Sequence, residues 1–469
     1  MFVLSTARRL TMTGVLAFTV ACTDNQTSYQ GAQSGIDVPA KWSSFTASQP
    51  QMVDSQWLAS FNDPALLALV NRALANNRDL QAASARLAES RALARQSGAS
   101  LYPQLLATFE GRVDDQSGAA SDEGFDYGLS VNWEADIWGS IRGTRRAAAL
   151  DAVAQEALFE FARQSIAARV ATQWIDIRAN NALVQVARDE RAARQNRVAR
   201  TRERLEAGTI LESDLDLAQS DLFEAEAELA AARRTLSTSR RAMDVLLGRY
   251  PDGQIAAPAW LHSLPPRPRA GVPSQLLERR PDVVAAERQV AAAFARRGAA
   301  QAARLPRLSL TGRVAASGGD FDQILDPDEI VWTLIGNLIA PLVDGGDRLE
   351  QVRIETARQE QALARYASTA LVAFSEVENA LARERSLLAE LGAYENAIER
   401  VRAVREFETE RFAVAEIGPA RLSNVQEQFF DARRNAIRVH AALLRNRVAL
   451  HLALGGSIRP VALASATGE

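Results

Sequence analysis

Cysteine is almost absent. Cys22 is the only one in 469 residues, so no disulfide within the chain can hold the fold. Histidine is scarce too, at His262, His440 and His451. The last two could share a helix face, but no acidic or thiol ligand accompanies them at metal spacing. There is no Walker loop, no Gly-x-Ser-x-Gly elbow and no His-Glu-x-x-His. The chain therefore reads as no enzyme, with no cofactor and no metal. Lys41 is the only lysine among 54 basic residues, and the formal net charge is -3. Lys and Arg are interspersed with Asp and Glu, so no basic block points to nucleic acid. The many carboxylates on helical stretches read as solvating faces and not as paired acids.

Long apolar runs are missing as well. Leu10 to Ala21 is apolar but too short for a stop-transfer helix, and Arg8 and Arg9 precede it, the pattern of a signal peptide. It ends at Cys22. One reading is an ordinary cleavage site with an incidental cysteine. The other is lipidation of Cys22, which gives the lone thiol a use in an oxidising compartment. No later stretch reaches about 18 uninterrupted apolar residues, so any later membrane crossing has to be made by strands.

What is present is a duplication. Asn77-Arg78-Asp79-Leu80 opens a helix-like run that closes at Pro103, and Arg280-Pro281-Asp282-Val283 opens another that closes at Pro306. Further on, Arg204, Leu215 and Gln219 are answered by Arg411, Leu422 and Gln426. Asp136-Ile137-Trp138-Gly139 is answered by Leu342-Val343-Asp344-Gly345, each marking a strand-to-helix corner. Between the halves, six of sixteen prolines, from Pro251 to Pro273, mark an extended linker. The expected organisation is a signal peptide over 1–21, a lipidated segment over 22–60, a first repeat over 61–248, a linker over 249–273, a second repeat over 274–456 and a tail over 457–469.

Each half reads as helix, two strands and two helices. Ile141 to Ala207 and Leu349 to Val414 lack proline and are rich in Ala, Arg, Glu and Gln. At 1.5 Å per residue each would extend roughly 100 Å. Near-heptad apolar positions, such as Phe374, Leu381 and Leu388, predict side-by-side coiled-coil packing. The strands are expected at Gln104 to Val113, Asp126 to Ala135, Arg307 to Ala316 and Ile330 to Ala340, with polar loops at Asp114 to Gly124 and Ser317 to Glu329. Leu129, Val131, Trp133 and Ala135 alternate with Ser130, Asn132 and Glu134, the pattern of a strand with one face in lipid and one in water. The last strand is apolar on both faces and fits that pattern less cleanly. Four strands are too few for a membrane barrel, which needs about eight, so several chains have to share one. Three chains would supply twelve strands.

These residues resemble the outer membrane factor family, the TolC-like channels, and within it the lipidated branch that serves multidrug efflux pumps. The resemblance runs from Cys22 to about Gly456. It is carried by Phe61-Asn62-Asp63-Pro64-Ala65-Leu66, Asp136-Ile137-Trp138-Gly139, Leu276-Leu277-Glu278-Arg279-Arg280-Pro281-Asp282 and Val343-Asp344-Gly345-Gly346. Thr19-Val20-Ala21-Cys22 resembles a lipobox in which Thr19 replaces the usual Leu. Thr23, following the cysteine, favours outer-membrane delivery. The resemblance implies a mainly α, tandem-repeat fold: a homotrimer with a shared twelve-stranded barrel in outer membrane lipid and a long periplasmic helical tunnel. It also implies a periplasmic adaptor (membrane fusion protein) and an inner-membrane pump, of the resistance-nodulation-division class, as partners.

By the same resemblance, Arg421 and Asn424 map to the periplasmic aperture, where the family commonly places carboxylates. Asp214 corresponds to Arg421 in the first repeat. Arg421 is expected either to pair with Asp214 or to be a solvated helix residue. The corners at Gly208-Thr209 and at Ala415 to Gly418 map to the adaptor-gripping tips. Gly208 suits a left-handed helix end. Ala415 takes its place in the second corner, and with Gly418-Pro419 following, the two corners are expected to differ in shape. The competing readings are a lipid-anchored structural coiled coil, a duct for type I protein secretion and a pump adaptor. The first does not need four amphipathic strands, and the last would need lipoyl-like modules that the sequence lacks.

Overall fold

The structure, a computed structural model, describes residues 38–44, 57–114, 122–268, 270–318 and 330–456. The stretch expected to be a signal peptide, Cys22, the tail over 457–469 and most of both strand loops lie outside the described residues. After a 3-10 turn at Trp57–Phe61, the elements are α1 (Pro64–Asn76), α2 (Arg78–Ala99), β1 (Gln104–Asp114), β2 (Asp122–Ala135), α3 (Ser140–Glu206), α4 (Glu212–Leu246), α5 (Pro273–Arg279), α6 (Pro281–Ala302), β3 (Arg307–Gly318), β4 (Val331–Ile339), α7 (Asp347–Ala413) and α8 (Pro419–Ala453).

The order α2-β1-β2-α3-α4 is repeated as α6-β3-β4-α7-α8. The paired helices have equal lengths: 22 residues for α2 and α6, 67 for α3 and α7, and 35 for α4 and α8. Strand β2 starts four residues before the expected Asp126, inside the stretch read as a polar loop. Asp122 to Phe125 ladder onto Asp114 to Gly111 of β1, so cross-strand pairing overrides loop-like composition there.

The chain divides into two compact units, and helices carry it from one to the other. One is built from Arg91–Asp151 and Glu287–Ala364 and holds the sheet. The other is built from the described residues of 38–90, 152–286 and 365–456 and holds most of the helical packing.

In the helical unit, α1 starts where physics favours a start: Pro64 occupies its first turn, and Asp63 Oδ1 accepts hydrogen bonds from the N–H groups of Ala65 (2.9 Å) and Leu66 (3.2 Å). Trp57, Phe61, Leu66, Trp174, Ile175, Met243 and Leu444 share its core. Along the middle of α7 one buried line runs through Tyr366, Ala370, Ala373, Val377, Ala380 and Glu384, at alternating spacings of four and three. The expected phase through Phe374, Leu381 and Leu388 is therefore shifted: Leu381 is buried, but Phe374 is only half-buried and Leu388 is exposed. Small side chains let the helices approach closely, and alanine rather than leucine marks the seam.

The segment before the 3-10 turn is clamped to α7. Trp42 is buried, its indole N–H donates to the Gly271 carbonyl (3.1 Å), and its ring meets Phe374 edge-on. Glu378 accepts from the backbone N–H groups of Ser43 (2.6 Å) and Ser44 (2.9 Å). Burial pushes the Glu378 carboxyl up, but the hydrogen bonds from Ser44 and Ser43 outweigh it and hold the group below its usual range.

Candidate functional site

Among the described residues the sheet has the order β1-β2-β3-β4, antiparallel throughout, with β1 and β4 as free edges. Its register sorts the side chains. Leu105, Ala107 and Phe109 of β1 lie on the same face as Tyr127, Leu129, Val131 and Trp133 of β2, Leu308, Leu310 and Val314 of β3, and Trp332, Leu334 and Leu338 of β4. This face is wholly apolar, and yet Leu105, Phe109, Leu129, Trp332, Leu334 and Leu338 are each at least half exposed. The opposite face carries Thr108 and Glu110, then Asp126, Ser130, Asn132 and Glu134, then Arg307, Ser309, Thr311 and Arg313. An apolar face exposed over four strands is a surface made for hydrocarbon, backed by one made for water.

Aromatic residues flank the apolar face at both ends. Tyr127, Phe109 and Trp332 lie toward the loops, while Trp133 and Trp138 lie at the helix-proximal corners. Those two indoles tie the corners together: Trp133 donates to the Leu101 carbonyl (3.0 Å) and Trp138 to the Pro306 carbonyl (2.7 Å). Gly128 is required by close approach, since a Cβ there would lie 2.7 Å from the Val314 carbonyl oxygen. Among the described residues no helix is long and apolar enough to cross a membrane.

The sequence motifs turn out to be corner and hub devices. Asp136 accepts from the N–H groups of Ile141 (3.0 Å) and Arg142 (2.8 Å) and so caps α3. Asp344 accepts from Gly346 (3.0 Å) and Arg348 (3.3 Å) at the start of α7. Arg280 is buried against Asp282 (2.8 Å) and Glu376 (2.5 Å) and lies over Phe161. Asp63, besides capping α1, accepts from the Trp174 indole (2.6 Å) and Arg178 (2.9 Å) and lies 2.7 Å from His262 Nε2. Burial would raise the Asp63 carboxyl, but hydrogen bonds from His262, Trp174 and the Leu66 N–H hold it well below the usual carboxylate range.

At the far ends of the long helices, the two corners come together around a cavity of about 480 Å³ that includes Gly208, Thr209, Asp214, Gly418 and Pro419. The expectation that the corners differ in shape is not met. In the first, Gly208 N–H bonds to the Leu205 carbonyl (2.9 Å) and Thr209 N–H to that of Arg204 (3.0 Å). In the second, Ala415 bonds to Phe412 (3.2 Å) and Glu416 to Arg411 (2.9 Å). This is one Schellman closure used twice. Its hydrogen bonds require a left-handed residue, so φ is +70° at Gly208 and +64° at Ala415, where a side chain is strained.

Arg421 does not pair with Asp214 within the chain. Its guanidinium bonds Glu408, one turn before the corner on the antiparallel α7, at 3.1 Å, while Asp214 is occupied in accepting the Leu211 N–H at the start of α4 (3.2 Å). Asn424 is exposed.

The charges read as solvated faces are partly buried pairs. Glu190, Arg194 and Arg197 of α3 are buried; Asp221 of α4 bonds both arginines and Ser423 of α8, and Glu190 bonds Arg434 of α8. Burial and the neighbouring Arg194 hold the Arg197 guanidinium below its usual range, against the pull of Asp221. Heptad phase was the only available signal, and alanine-rich seams blur it.

A mainly helical chain carrying a membrane-facing sheet belongs to the outer-membrane class of strand-bearing proteins. The chain is a member of the outer membrane efflux protein family, which it matches over residues 69–249 and 272–456. It is 29% identical over 437 residues to the pyoverdine export outer membrane protein OpmQ of Pseudomonas putida, covering 90% of this chain and 92% of that one. It is 26% identical to the cation efflux system protein CusC of Escherichia coli, covering 85% and 88%. The solved structure of the outer-membrane channel OprN superposes with a TM-score of 0.82 at 26% identity, covering 90% of this chain and 97% of that one. The fold is therefore the tandem-repeat outer membrane factor fold, four strands to a chain, and the protein is an outer-membrane efflux channel.

Proposed function

We propose that three copies of this chain close a twelve-stranded barrel by pairing β4 of one copy with β1 of the next, and that the assembly is a passive duct for drugs or other small molecules. The observation that carries this reading is the pair of free edges on a two-faced sheet of only four strands, which cannot close on itself. The duct performs no chemistry. An inner-membrane pump, of the resistance-nodulation-division class, selects and drives the cargo, and a periplasmic adaptor connects the two.

Cys22 is the lipid attachment point that holds the protein at the outer membrane. The adaptor grips the corners at Gly208-Thr209 and at Ala415 and Gly418. Arg421, Asn424 and Asp214 line the periplasmic aperture. The matching hydrogen bonds of the two corners support near-sixfold docking, because three chains then present six similar tips. Deleting the gene from producing cells should raise steady-state accumulation of ethidium, and re-supply should restore it. Unchanged accumulation would remove the drug-efflux reading. A Cys22→Ala variant should lose palmitate labelling and outer-membrane retention.

A further inference from the structure

Helices α3 and α4 of the first repeat match α7 and α8 of the second end for end, so that position 140 answers to 347 and position 212 to 419 without a gap. Their surroundings differ. Seventeen residues of α8 are buried and only six of α4. Helix α8 is enclosed because it packs on α3 of the other repeat along most of its length. Arg445 bonds Asp176, Arg433 bonds Asp189 (3.0 Å), Ser423 accepts from Arg194 (2.6 Å), and the Ile417 carbonyl just before α8 accepts from Arg204 (2.9 Å). Phe430 fills this contact: it is 1% exposed and shares a cluster with Val186 and Ala193 of α3.

The counterpart of Phe430 on α4 is also a phenylalanine, Phe223, and it is 66% exposed. Leu217, Ala227 and Ala230 are exposed around it. What α4 lacks is a helix in the position that α3 takes beside α8. The counterpart of α3 is α7, where Ala393, Ala397 and Arg400 stand at the positions of Val186, Glu190 and Ala193. Ala393 and Arg400 are exposed and Ala397 is half-buried. Both faces are open within one chain, so they do not cover each other there. We infer that Phe223 of one copy docks on α7 of a second copy, over Ala393 and Ala397 and beside Arg400, repeating between copies the contact that α8 and α3 make inside the chain. The two alanines leave the hollow that a ring needs at a close helix crossing. A first-repeat face that meets a second-repeat face is a head-to-tail contact, which generates a ring rather than an isolated pair. The inference rests on the shared-barrel reading, which supplies the ring of three.

The test is disulfide cross-linking of the full-length protein in purified outer membranes. Three double variants share Phe223→Cys and add Ala397→Cys, Glu390→Cys or Val404→Cys, the last two lying one heptad, about 10 Å, to either side along α7. A disulfide needs Cβ atoms within about 4.5 Å, so mild oxidation should join the Ala397→Cys variant into covalent dimers and trimers roughly tenfold faster than the other two. Cys22 is common to all three and gives no difference among them. Phe223→Ala removes a side chain that is exposed in the chain itself, so it should leave the folding of each chain alone and raise dissociation of the detergent-extracted particle roughly tenfold. Faster linking in the Glu390→Cys or Val404→Cys variant overturns the inference. So does the absence of linking in all three while wild type keeps the mass of three chains, or unchanged dissociation of Phe223→Ala. A wild-type particle with the mass of one chain would instead count against the shared barrel.

Discussion

The sheet and the helical unit solve opposite problems with the same residue types. In the sheet, Leu105, Leu129, Leu334 and Leu338 are held outward and the polar side chains face a common opposite side. In the helical unit, apolar residues are inside and several charges are inside with them, as in Asp63 with Arg178 and Arg447 with Glu384. The difference teaches what each region is solvated by. A hydrocarbon-facing sheet needs no apolar core of its own. Long alanine-rich helices bury too little per residue to exclude every charge, so they pair the ones they bury.

The largest effect expected on the helical side is at Asp63. Asp63→Ala would leave Arg178 buried without its carboxylate and should cost about 3–5 kcal/mol, read as a lowered unfolding midpoint. The group's folded pKa lies below its unfolded one, so its contribution is fully present above an ordinary aspartate pKa near 3.8 and is lost as pH falls below that. Wild type should therefore lose more stability than Asp63→Asn between pH 5 and pH 3. Equal losses would show that the hub is not coupled to folding.

On the sheet, Leu338→Arg and Thr311→Arg separate the two faces. The first places a charge on the lipid side and should cost about 2–4 kcal/mol of barrel stability if Leu338 lies near mid-membrane, seen as reduced folded protein in outer-membrane fractions. The second, on the water face, should be nearly silent. A reversal would mean that the faces are assigned the wrong way round.

How much of this was legible beforehand follows from the kind of signal. Strand positions were readable because period-two alternation survives in Leu129 to Ala135, and the long helices because no proline interrupts 67 residues. Strand β4 was placed correctly, but its faces were not legible from its apolar first half, and the register to β3 separates Trp332, Leu334 and Leu338 from Val331, Thr333, Ile335, Asn337 and Ile339. The buried pairs at Glu190, Arg194 and Asp221 were invisible, since they join α3 and α4 to α8, far away in sequence, and look like ordinary surface charge on each helix. The partner of Arg421 was missed for a related reason. Correspondence between repeats pointed to Asp214, whereas the antiparallel turn presents Glu408.

The smallest effect concerns the two corners. Ala415→Gly should stabilise the second corner by roughly 0.5–1 kcal/mol by relieving a left-handed alanine, and Gly208→Ala should destabilise the first by about as much. Hydrogen exchange at Glu416 and Thr209 would read both. Opposite signs are required if the corners are one motif, and equal signs would break the equivalence.

The central claim is that the sheet is one third of a barrel. Light scattering on protein extracted from outer membranes in mild detergent tests it most directly. A protein mass of three chains is predicted. A particle with the mass of one chain would contradict the account, because four strands with two free edges would then have to stand alone in the membrane.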